Sequence, residues 1–290
     1  MKTVFVIGAG GFVGQHLVRH LAASGLRVIA TARPGRALIL SPGVEWIAAD
    51  LSVGDTSNWP AHYETLIYLA QSSKWRDFPA GAEDVVRVNV GSVLQAAEHA
   101  RNVGAKRFLH MSTGSVYPQT RVPSEENDSI PVAATRSFYV ASKLAAELML
   151  GPYSAYFGLT HLRLFMPYGP GENEKMLIPR LLSKIRGGEA IDLHGSDGLL
   201  SNPIYVEDVA EATRRCLALD GTQTLNLGGP EVLSLRQVAE AIGLAIGKRP
   251  EFHLKPEAAP TIAGDISRLK TALAWIPPTR FGDGVKLWLG

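Results

Sequence analysis

Cysteine, net charge and long apolar runs are all scarce in this sequence. Its 290 residues include one cysteine, Cys216, so an internal disulfide is impossible, which is typical of a reducing compartment. The formal net charge is +2, and the scattered lysines and arginines form no run that could track a phosphate backbone. No apolar run is long enough to span a bilayer, and the apolar start, VFVIGAGG, is too short for a signal peptide. We expect a cytoplasmic protein with neither a membrane nor a nucleic-acid partner.

The composition is that of a globular protein with a sizeable core. Hydrophobic residues make up 46% of the chain and charged residues 19%, which favours one large domain or a domain with a lobe. Cys216 lies in VAEATRRCLAL, a stretch with helical spacing, and a packed helix residue is the better interpretation of it than a nucleophile.

The N-terminal stretch predicts a dinucleotide site. An apolar β-branched run, TVFVI, precedes the glycines Gly8, Gly11 and Gly14, and QHLVRHLAASG follows at helical spacing. The first glycine allows a tight turn, the second lets the backbone approach a pyrophosphate, and the third lets the helix pack on the strand. The helix N-terminus would offer N–H groups to the phosphates. We expect this loop, including Phe12 and Val13, to bind the cofactor.

Two histidines on the same predicted helix could suggest a metal. His16 and His20 are four residues apart, but the sequence offers no third ligand. We expect surface residues and no metal site.

The residues after the second predicted strand, RVIATA, bear on the choice of cofactor. An NAD site usually has an acidic residue here to bind the ribose 2′-hydroxyl, whereas this chain has Ala32, Arg33 and then Arg36. An arginine would pair with a 2′-phosphate instead. A solvated basic turn is the alternative. We predict that NADP(H) is favoured over NAD(H), with Arg33 and Arg36 as contacts.

Strand-like runs recur at intervals typical of an α/β fold. VEWIAADL, TLIYLA, RFLHMS and THLRLF alternate with helical stretches such as EDVVRVNVGSVLQAAEHARNVG. This alternation predicts a Rossmann-type, doubly wound parallel sheet. Ligands of such sheets lie at the carboxyl ends of the strands, so Asp50, Leu51, Leu69 and Ala70 are expected to contact the cofactor.

A tyrosine and a lysine stand four residues apart in SFYVASK, before the helical stretch LAAELML. Residues at this spacing share a helix face. Taken alone, Tyr139 and Lys143 are better explained as a half-buried aromatic ring beside a snorkelling amine.

The motifs together resemble the extended short-chain dehydrogenase/reductase family, also called the NAD-dependent epimerase/dehydratase family. The matching pieces, in family order over nearly the whole chain, are VIGAGGFVG, AADL, IYLA, VNVGSVLQAA, RFLHMSTGSVY, YVASK, LRLFMPYGPG, IYVEDVAEA and DISRLKTALAW.

The resemblance implies that Tyr139, Lys143 and Thr113 are the catalytic set. Tyr139 would exchange a proton with a substrate oxygen, Lys143 would hold the nicotinamide ribose, and Thr113 would orient the reacting oxygen. We expect the lysine cation, together with a positively charged oxidised nicotinamide, to lower the pKa of the Tyr139 phenol. Ser112, Phe165 and Pro167 are further cofactor contacts that the resemblance implies, and His110 is expected to be a strand residue.

Family members reduce or oxidise, epimerise or dehydrate. Sugar dehydratases carry an Asp-Glu pair after the catalytic threonine, where this chain has Gly114 and Ser115, so we expect no dehydratase. Reductase and epimerase both remain open. Arg33, which favours NADP(H), favours a reductase acting on a sugar-type, nucleotide-linked carbon, with an NAD-dependent nucleotide-sugar epimerase as the alternative.

Two departures from the family pattern concern the substrate. Met166 stands where many nucleotide-sugar members have Asn, and Ser201 where many have an Arg that grips the diphosphate. Both are candidate substrate contacts, and both leave a reductase of a smaller, non-nucleotide carbonyl compound as an alternative. Five cations could bind the substrate in place of the absent Asn and Arg, or could be surface charges. They are Arg163, Lys175, Arg180, Lys184 and Arg186.

The resemblance also implies an organisation. We expect a dinucleotide-binding domain over 1–165, rejoined by 204–227, and a smaller substrate-binding lobe over 167–203 and 228–290. Family members often dimerise through the helix that carries Tyr139 and Lys143, so a homodimer is expected. A non-catalytic NADP(H)-binding sensor is the remaining alternative, which the intact Tyr139, Lys143 and Thr113 disfavour.

Overall fold

The computed structural model describes residues 2–36, 38, 40–54, 56–118, 122–131, 137–257 and 259–290. The chain divides into two compact units. The first unit comprises Met1–Val116, Ile130–Arg163 and Ala210–Leu225, and the second comprises Tyr117–Ser129, Leu164–Val209 and Asn226–Gly290.

The strands are numbered in chain order. They are β1 (Thr3–Ile7), β2 (Arg27–Ala32), β3 (Val44–Ala48), β4 (Thr65–Tyr68), β5 (Arg107–Thr113), β6 (Gly158–Leu164), β7 (Pro167–Tyr168), β8 (Ile191–His194), β9 (Leu200–Ser201), β10 (Ile204–Tyr205), β11 (Gln223–Leu227), β12 (Leu233–Ser234), β13 (Phe252–Lys255) and β14 (Thr261–Ile262).

The α-helices are numbered in the same way. They are α1 (Phe12–Ala23), α2 (Ala82–Val86), α3 (Ser92–Asn102), α4 (Phe138–Leu150), α5 (Leu177–Gly187), α6 (Val206–Cys216), α7 (Leu235–Ile246), α8 (Ser267–Leu273) and α9 (Phe281–Leu289).

The main sheet has seven strands in the order β11-β6-β5-β4-β1-β2-β3. The ladders of β1 with β2 and β4, of β2 with β3, and of β4 with β5 are parallel. The strand order reverses at β1, which is the switch point where doubly wound sheets bind ligands. The predicted Rossmann-type fold is therefore confirmed, and β1 and β2 coincide with the runs TVFVI and RVIATA.

The sheet is held by an apolar core on both of its faces. Phe5, Leu66 and Phe108 are register partners buried on one face, and Val6, Ile67 and Leu109 are register partners buried on the other. Each such side chain contributes about 1.5–3 kcal/mol relative to exposure. Because β1, β2, β4 and β5 are buried on both faces, their sequences are nearly continuous apolar runs instead of alternating ones.

The helix predicted for EDVVRVNVGSVLQAAEHARNVG is interrupted. A π-helical turn at Arg87–Gly91 separates α2 from α3. The Val88 carbonyl oxygen accepts hydrogen bonds from the Tyr68 hydroxyl and the Ser92 hydroxyl, each at 2.7 Å. Side chains that donate to a helix carbonyl oxygen compete with the regular backbone hydrogen bonds of the helix, which explains the π-helical turn.

The second unit is built from short strands around its own core. Its sheets are the pair β10-β7, the triplet β12-β9-β14 and the pair β13-β8. Fully buried side chains of this core include Tyr168, Ile178 and Phe281.

The sequence-based boundaries assigned residues 117–129 to the dinucleotide-binding domain, whereas the structure groups them with the second unit. The Ser124 N–H donates to Ala263 O at 2.9 Å, and the Tyr117 hydroxyl donates to Asn226 Oδ1 at 2.7 Å. These long-range contacts have no local sequence signal. Across the described part of the chain, no helix is long and apolar enough to cross a membrane.

Candidate active site

In the segment from the end of β1 into α1, a side chain at Gly8 or at Gly14 would clash with the backbone of another residue. Gly8 has φ +85°, and a Cβ there would lie 2.5 Å from the Ala70 backbone nitrogen. A Cβ on Gly14 would lie 2.6 Å from the Ala9 backbone. Gly11 is the N-cap of α1 and has no side chain to cap the first helical N–H groups. The loop therefore suits a phosphate cradle, as the glycine spacing predicts.

Other predicted cofactor contacts surround this loop. Phe12 and Val13 open α1 and are half-buried. Leu69 follows β4, and its N–H donates to the Ile7 oxygen at 2.9 Å. Leu51 packs against the core of the sheet.

The two arginines after β2 lie close to the same loop. The Arg36 Nε donates to Gly10 O at 3.0 Å, and Arg33 donates to the Ser73 hydroxyl at 3.3 Å. The Asp50 carboxylate accepts hydrogen bonds from Ser52, which lower its pKa, and the Arg33 guanidinium lowers that pKa further. Both arginines are exposed to solvent at the carboxyl end of β2.

The side chains of Thr113 and Tyr139 lie close enough together for Thr113 to lower the pKa of the Tyr139 phenol. Thr113 ends β5, and Tyr139 lies in the first turn of α4. Ser137 caps this helix by accepting a hydrogen bond from the Val140 N–H at 3.4 Å, which fixes where α4 begins. Desolvation of the phenol acts in the opposite direction and raises that pKa.

Lys143 alone does not lower the Tyr139 pKa in this structure, and its expected joint effect with an oxidised nicotinamide stays a prediction. Burial disfavours the phenolate and raises the pKa of Tyr139 to about 12. The Lys143 ammonium donates to the Met111 carbonyl oxygen at 3.0 Å. Burial also lowers the pKa of Lys143 to about 8, against the Glu147 carboxylate, which raises it.

Sequence reasoning missed three residues next to this set. The buried Asn89 accepts from the Ser72 N–H and donates to the Ser142 hydroxyl, both at 2.9 Å, and Ser142 in turn donates to the Tyr139 carbonyl at 2.7 Å. Trp75 packs its ring on Tyr139, with centroids 5.0 Å apart. The available signals were the Asn within VNVGS and an isolated Trp in the segment after β4.

Three residues predicted to contact the cofactor make hydrogen bonds or strand pairs with other residues of the protein. The Ser112 hydroxyl donates to the Glu147 carboxylate, and both side chains are buried. In the second unit, Phe165 is 2% exposed and its N–H donates to Leu227 O at 2.9 Å, while Pro167 pairs with Ile204 in the β7–β10 ladder.

The two predicted substrate contacts of the second unit differ in accessibility. Met166 has φ +40°, a left-handed conformation that Asn tolerates better than Met, and Met166 packs partly on the core. Ser201 lies in β9 and is 2% exposed, so its side chain presents almost no surface to a ligand.

Both interpretations of Arg163, as a ligand-binding cation and as a surface charge, are wrong. Arg163 lies in β6, is 7% exposed and donates to the Glu147 carboxylate from Nη2 at 2.7 Å. A strand position facing α4 explains this burial. Arg180 and Arg186 are exposed on α5, and Lys184 donates to Ala190 O at 3.1 Å.

The histidines of α1 are not simple surface residues. His16 is 6% exposed and hydrogen-bonds with Arg19, and His20 Nε2 lies 2.7 Å from the Glu211 carboxylate. The helix packs on the rest of the first unit with this face, which periodicity alone did not distinguish. No group of three or more His, Cys, Asp or Glu side chains suited to a metal occurs among the residues described.

His110 and Cys216 have the environments that the sequence predicts. His110 is a fully buried residue of β5. Cys216 is packed in α6, and burial raises the pKa of its thiol to about 12.

Comparison with known proteins agrees with this geometry. The NAD dependent epimerase/dehydratase family model matches residues 4–228. A dTDP-4-dehydro-6-deoxy-D-allose reductase from Streptomyces bikiniensis is 26% identical over 306 aligned positions, which cover 97% of this chain and 94% of that protein. A UDP-glucose 4-epimerase from Mycolicibacterium smegmatis is 28% identical, with coverage of 98% and 96%.

A solved structure gives the same result. MoeE5 in complex with UDP-glucuronic acid and NAD is 26% identical and superimposes with a TM-score of 0.83, with 99% of each chain covered. The chain therefore belongs to the NAD dependent epimerase/dehydratase family, and it is an enzyme of the extended short-chain dehydrogenase/reductase type.

Proposed function

We propose that this enzyme is an NADP(H)-dependent reductase of a keto carbon on a nucleotide-linked sugar. The observation that carries the proposal is the proximity of the Thr113 side chain, at the end of β5, to the Tyr139 phenol in the first turn of α4, with Lys143 one helical turn along the same helix. It brings a proton donor and an orienting hydroxyl to a single point at the carboxyl edge of the sheet. The similarity to a reductase of dTDP-linked keto sugars supports this substrate class.

Each residue of the site has its own role in the proposed reduction. When bound, a nicotinamide supplies the hydride that adds to the carbonyl carbon. The Tyr139 hydroxyl donates its proton to the carbonyl oxygen, so that C=O becomes CH–OH, and the Thr113 hydroxyl orients that oxygen. The Lys143 ammonium holds the cofactor ribose. Trp75, packed on Tyr139, offers an aromatic surface to the C–H face of a sugar ring.

The cofactor preference rests on the end of β2. Arg33 and Arg36 are exposed beside Gly10 and Asp50, where a cation suits a ribose 2′-phosphate. The solved structure of MoeE5 contains NAD, so the preference for NADP(H) depends on these residues of this chain alone.

Two alternative functions each have an observation in their favour. Similarity to a UDP-glucose 4-epimerase over 98% of the chain favours an epimerase that regenerates its cofactor in place. A smaller carbonyl substrate is favoured by Met166 and the buried Ser201, because neither side chain offers an amide or a guanidinium to an anionic diphosphate.

We also propose a homodimer formed through α4, and a substrate-binding role for the second unit. On α4, Leu148 and Met149 are 66% and 48% exposed, and Val86 of α2 is 47% exposed. Exposed apolar side chains grouped on neighbouring helices are typical of an interface.

The first experiment is native mass spectrometry of the purified protein, followed by titration with NADH and NADPH. A protein that binds NADPH at least tenfold more tightly than NADH, and then reduces dTDP-linked 4-keto-6-deoxy sugars, is the expected result. NAD retained through purification, with interconversion of UDP-sugars, would instead identify an epimerase. Reduction of simple ketones but not of nucleotide-linked ones would remove the nucleotide from the substrate class.

A further inference from the structure

Six polar and charged side chains form a buried layer between α4 and the strands β5 and β6. Each element contributes two residues from one face, at the spacing of its own geometry: four apart on the helix and two apart on each strand. All six are at most 7% exposed. We call this set the α4 polar layer; its members are Lys143, Glu147, His110, Ser112, His161 and Arg163.

Glu147 is the centre of the α4 polar layer. The Arg163 Nη2 donates to Glu147 Oε2 at 2.7 Å and Nε donates to Oε1 at 3.2 Å, which is a bidentate geometry. The Ser112 hydroxyl donates to the same carboxylate. The carboxylate is therefore held in place from two strands, on the helix that carries Lys143.

The two histidines of the α4 polar layer carry no positive charge near neutral pH. His110 Nδ1 and His161 Nδ1 are 3.3 Å apart, with their rings nearly perpendicular. Burial holds the pKa of His110 well below its ordinary value, and the Lys143 charge lowers it further. Burial also lowers the pKa of His161 to about 4. Near neutral pH, the charges of the layer are the two cations Lys143 and Arg163 and one carboxylate.

Charged groups on the other helices packed against α4 are paired elsewhere. Asp84 of α2 accepts a hydrogen bond from Ser72, and Glu83 pairs with Arg87 at the surface. His99 of α3 hydrogen-bonds with the Tyr63 hydroxyl.

Within α4, Tyr139 is a protonated phenol that burial keeps neutral. Among the described residues, Glu147 is thus the carboxylate placed to balance the buried Lys143 ammonium, whose hydrogen-bond partner, Met111 O, is uncharged.

We propose that Glu147 is a positioning residue that keeps Lys143 in its ammonium form, with Arg163 and Ser112 holding the carboxylate in place. A buried amine without a nearby anion releases its proton at lower pH. The consequence for catalysis rests on the proposed function, because a neutral Lys143 could no longer hold the cofactor ribose as a cation. The protonation state itself is independent of any substrate.

The test is a direct titration of Lys143 by NMR in protein labelled with ¹³C at the lysine Cε, with Lys143→Met used to assign its signal. Glu147→Gln keeps the oxygen that Ser112 and Arg163 contact but removes the charge. We expect the Lys143 titration midpoint to fall by roughly one pH unit or more in Glu147→Gln. Glu147→Asp, which restores the charge, should return the midpoint most of the way. Glu98→Gln, which neutralises an ion-paired glutamate on α3, should leave it unchanged.

Binding of NADPH across pH 6–10 is the second readout. In Glu147→Gln, the alkaline loss of affinity should begin at lower pH than in the wild type, and Lys143→Met should abolish this pH dependence. An unchanged Lys143 midpoint in a folded Glu147→Gln protein would overturn the proposal and leave Glu147 a structural residue. Because the NMR titration uses no substrate or cofactor, a failure of the proposed reductase activity would not alter its result.

Discussion

Tyr139 is half-buried beside Thr113, and its desolvation raises the pKa of its phenol to about 12. A phenol with this pKa keeps its proton throughout the neutral range, which suits it to donate that proton in the reductive direction. We expect Tyr139→Phe to lower kcat by about 10²–10⁴-fold, the usual contribution of a positioned acid, and to leave NADPH affinity nearly unchanged. Steady-state kinetics and a fluorescence titration measure the two effects.

Tyr156→Phe is the matched control for that experiment, because Tyr156 is 62% exposed outside the site. Its kinetics should equal those of the wild type. Turnover that persists in Tyr139→Phe would exclude Tyr139 as the proton donor.

Arg33 carries the predicted choice between the two cofactors. Hydrogen bonds to a charged group are worth about 1.5–3 kcal/mol, so Arg33→Ala should weaken NADPH binding about 10- to 100-fold and NADH binding much less. Isothermal titration with both cofactors measures the difference. Arg27→Ala, at the opposite end of β2 and 55% exposed, is the control and should affect neither. Equal losses for both cofactors in Arg33→Ala would remove the reason to favour NADP(H).

At the scale of single elements, the end of α8 carries removable strain. Ala274, the C-cap residue, is in the left-handed conformation with φ +46°, where glycine is favoured. We expect Ala274→Gly to stabilise the protein by about 0.5–1 kcal/mol, since the relief of strain exceeds the added entropy of the unfolded chain. Ala272→Gly, inside the same helix, should instead destabilise it by about 1 kcal/mol. Urea unfolding measures the change in the free energy of unfolding for both variants, which should have opposite signs. Changes of the same sign would contradict the presence of strain at Ala274.

The elements differ in how far they could be predicted. β1 and β2 were predictable to the residue because strands buried on both faces are apolar throughout. The π turn at Arg87–Gly91 was not predictable, since it depends on the Tyr68 hydroxyl of β4 reaching the Val88 carbonyl oxygen, a contact between residues distant in sequence.

At the scale of the whole molecule, the proposed homodimer through α4 can be tested by mutation. Leu148 lies on the exposed face of α4, and a charge placed in an apolar interface would oppose dimer formation. We expect a dimer for the wild type and a monomer for Leu148→Glu in sedimentation equilibrium. Leu244→Glu, at an 81% exposed position on α7, should remain dimeric. A monomeric wild type would show that the predicted dimer is wrong.

The sequence by itself determined the Rossmann-type fold and the glycine loop, because these depend on local rules of strand burial and backbone freedom. Helical spacing placed Tyr139 and Lys143 on one face of a helix, but their predicted catalytic role came from the resemblance to the family. Only the tertiary structure decided which partners the buried charges have. Lys143 binds the Met111 carbonyl, and Arg163 pairs with Glu147. Residues from three elements meet in that layer, and the loss of solvent there, which no single segment encodes, lowers the pKa of Lys143.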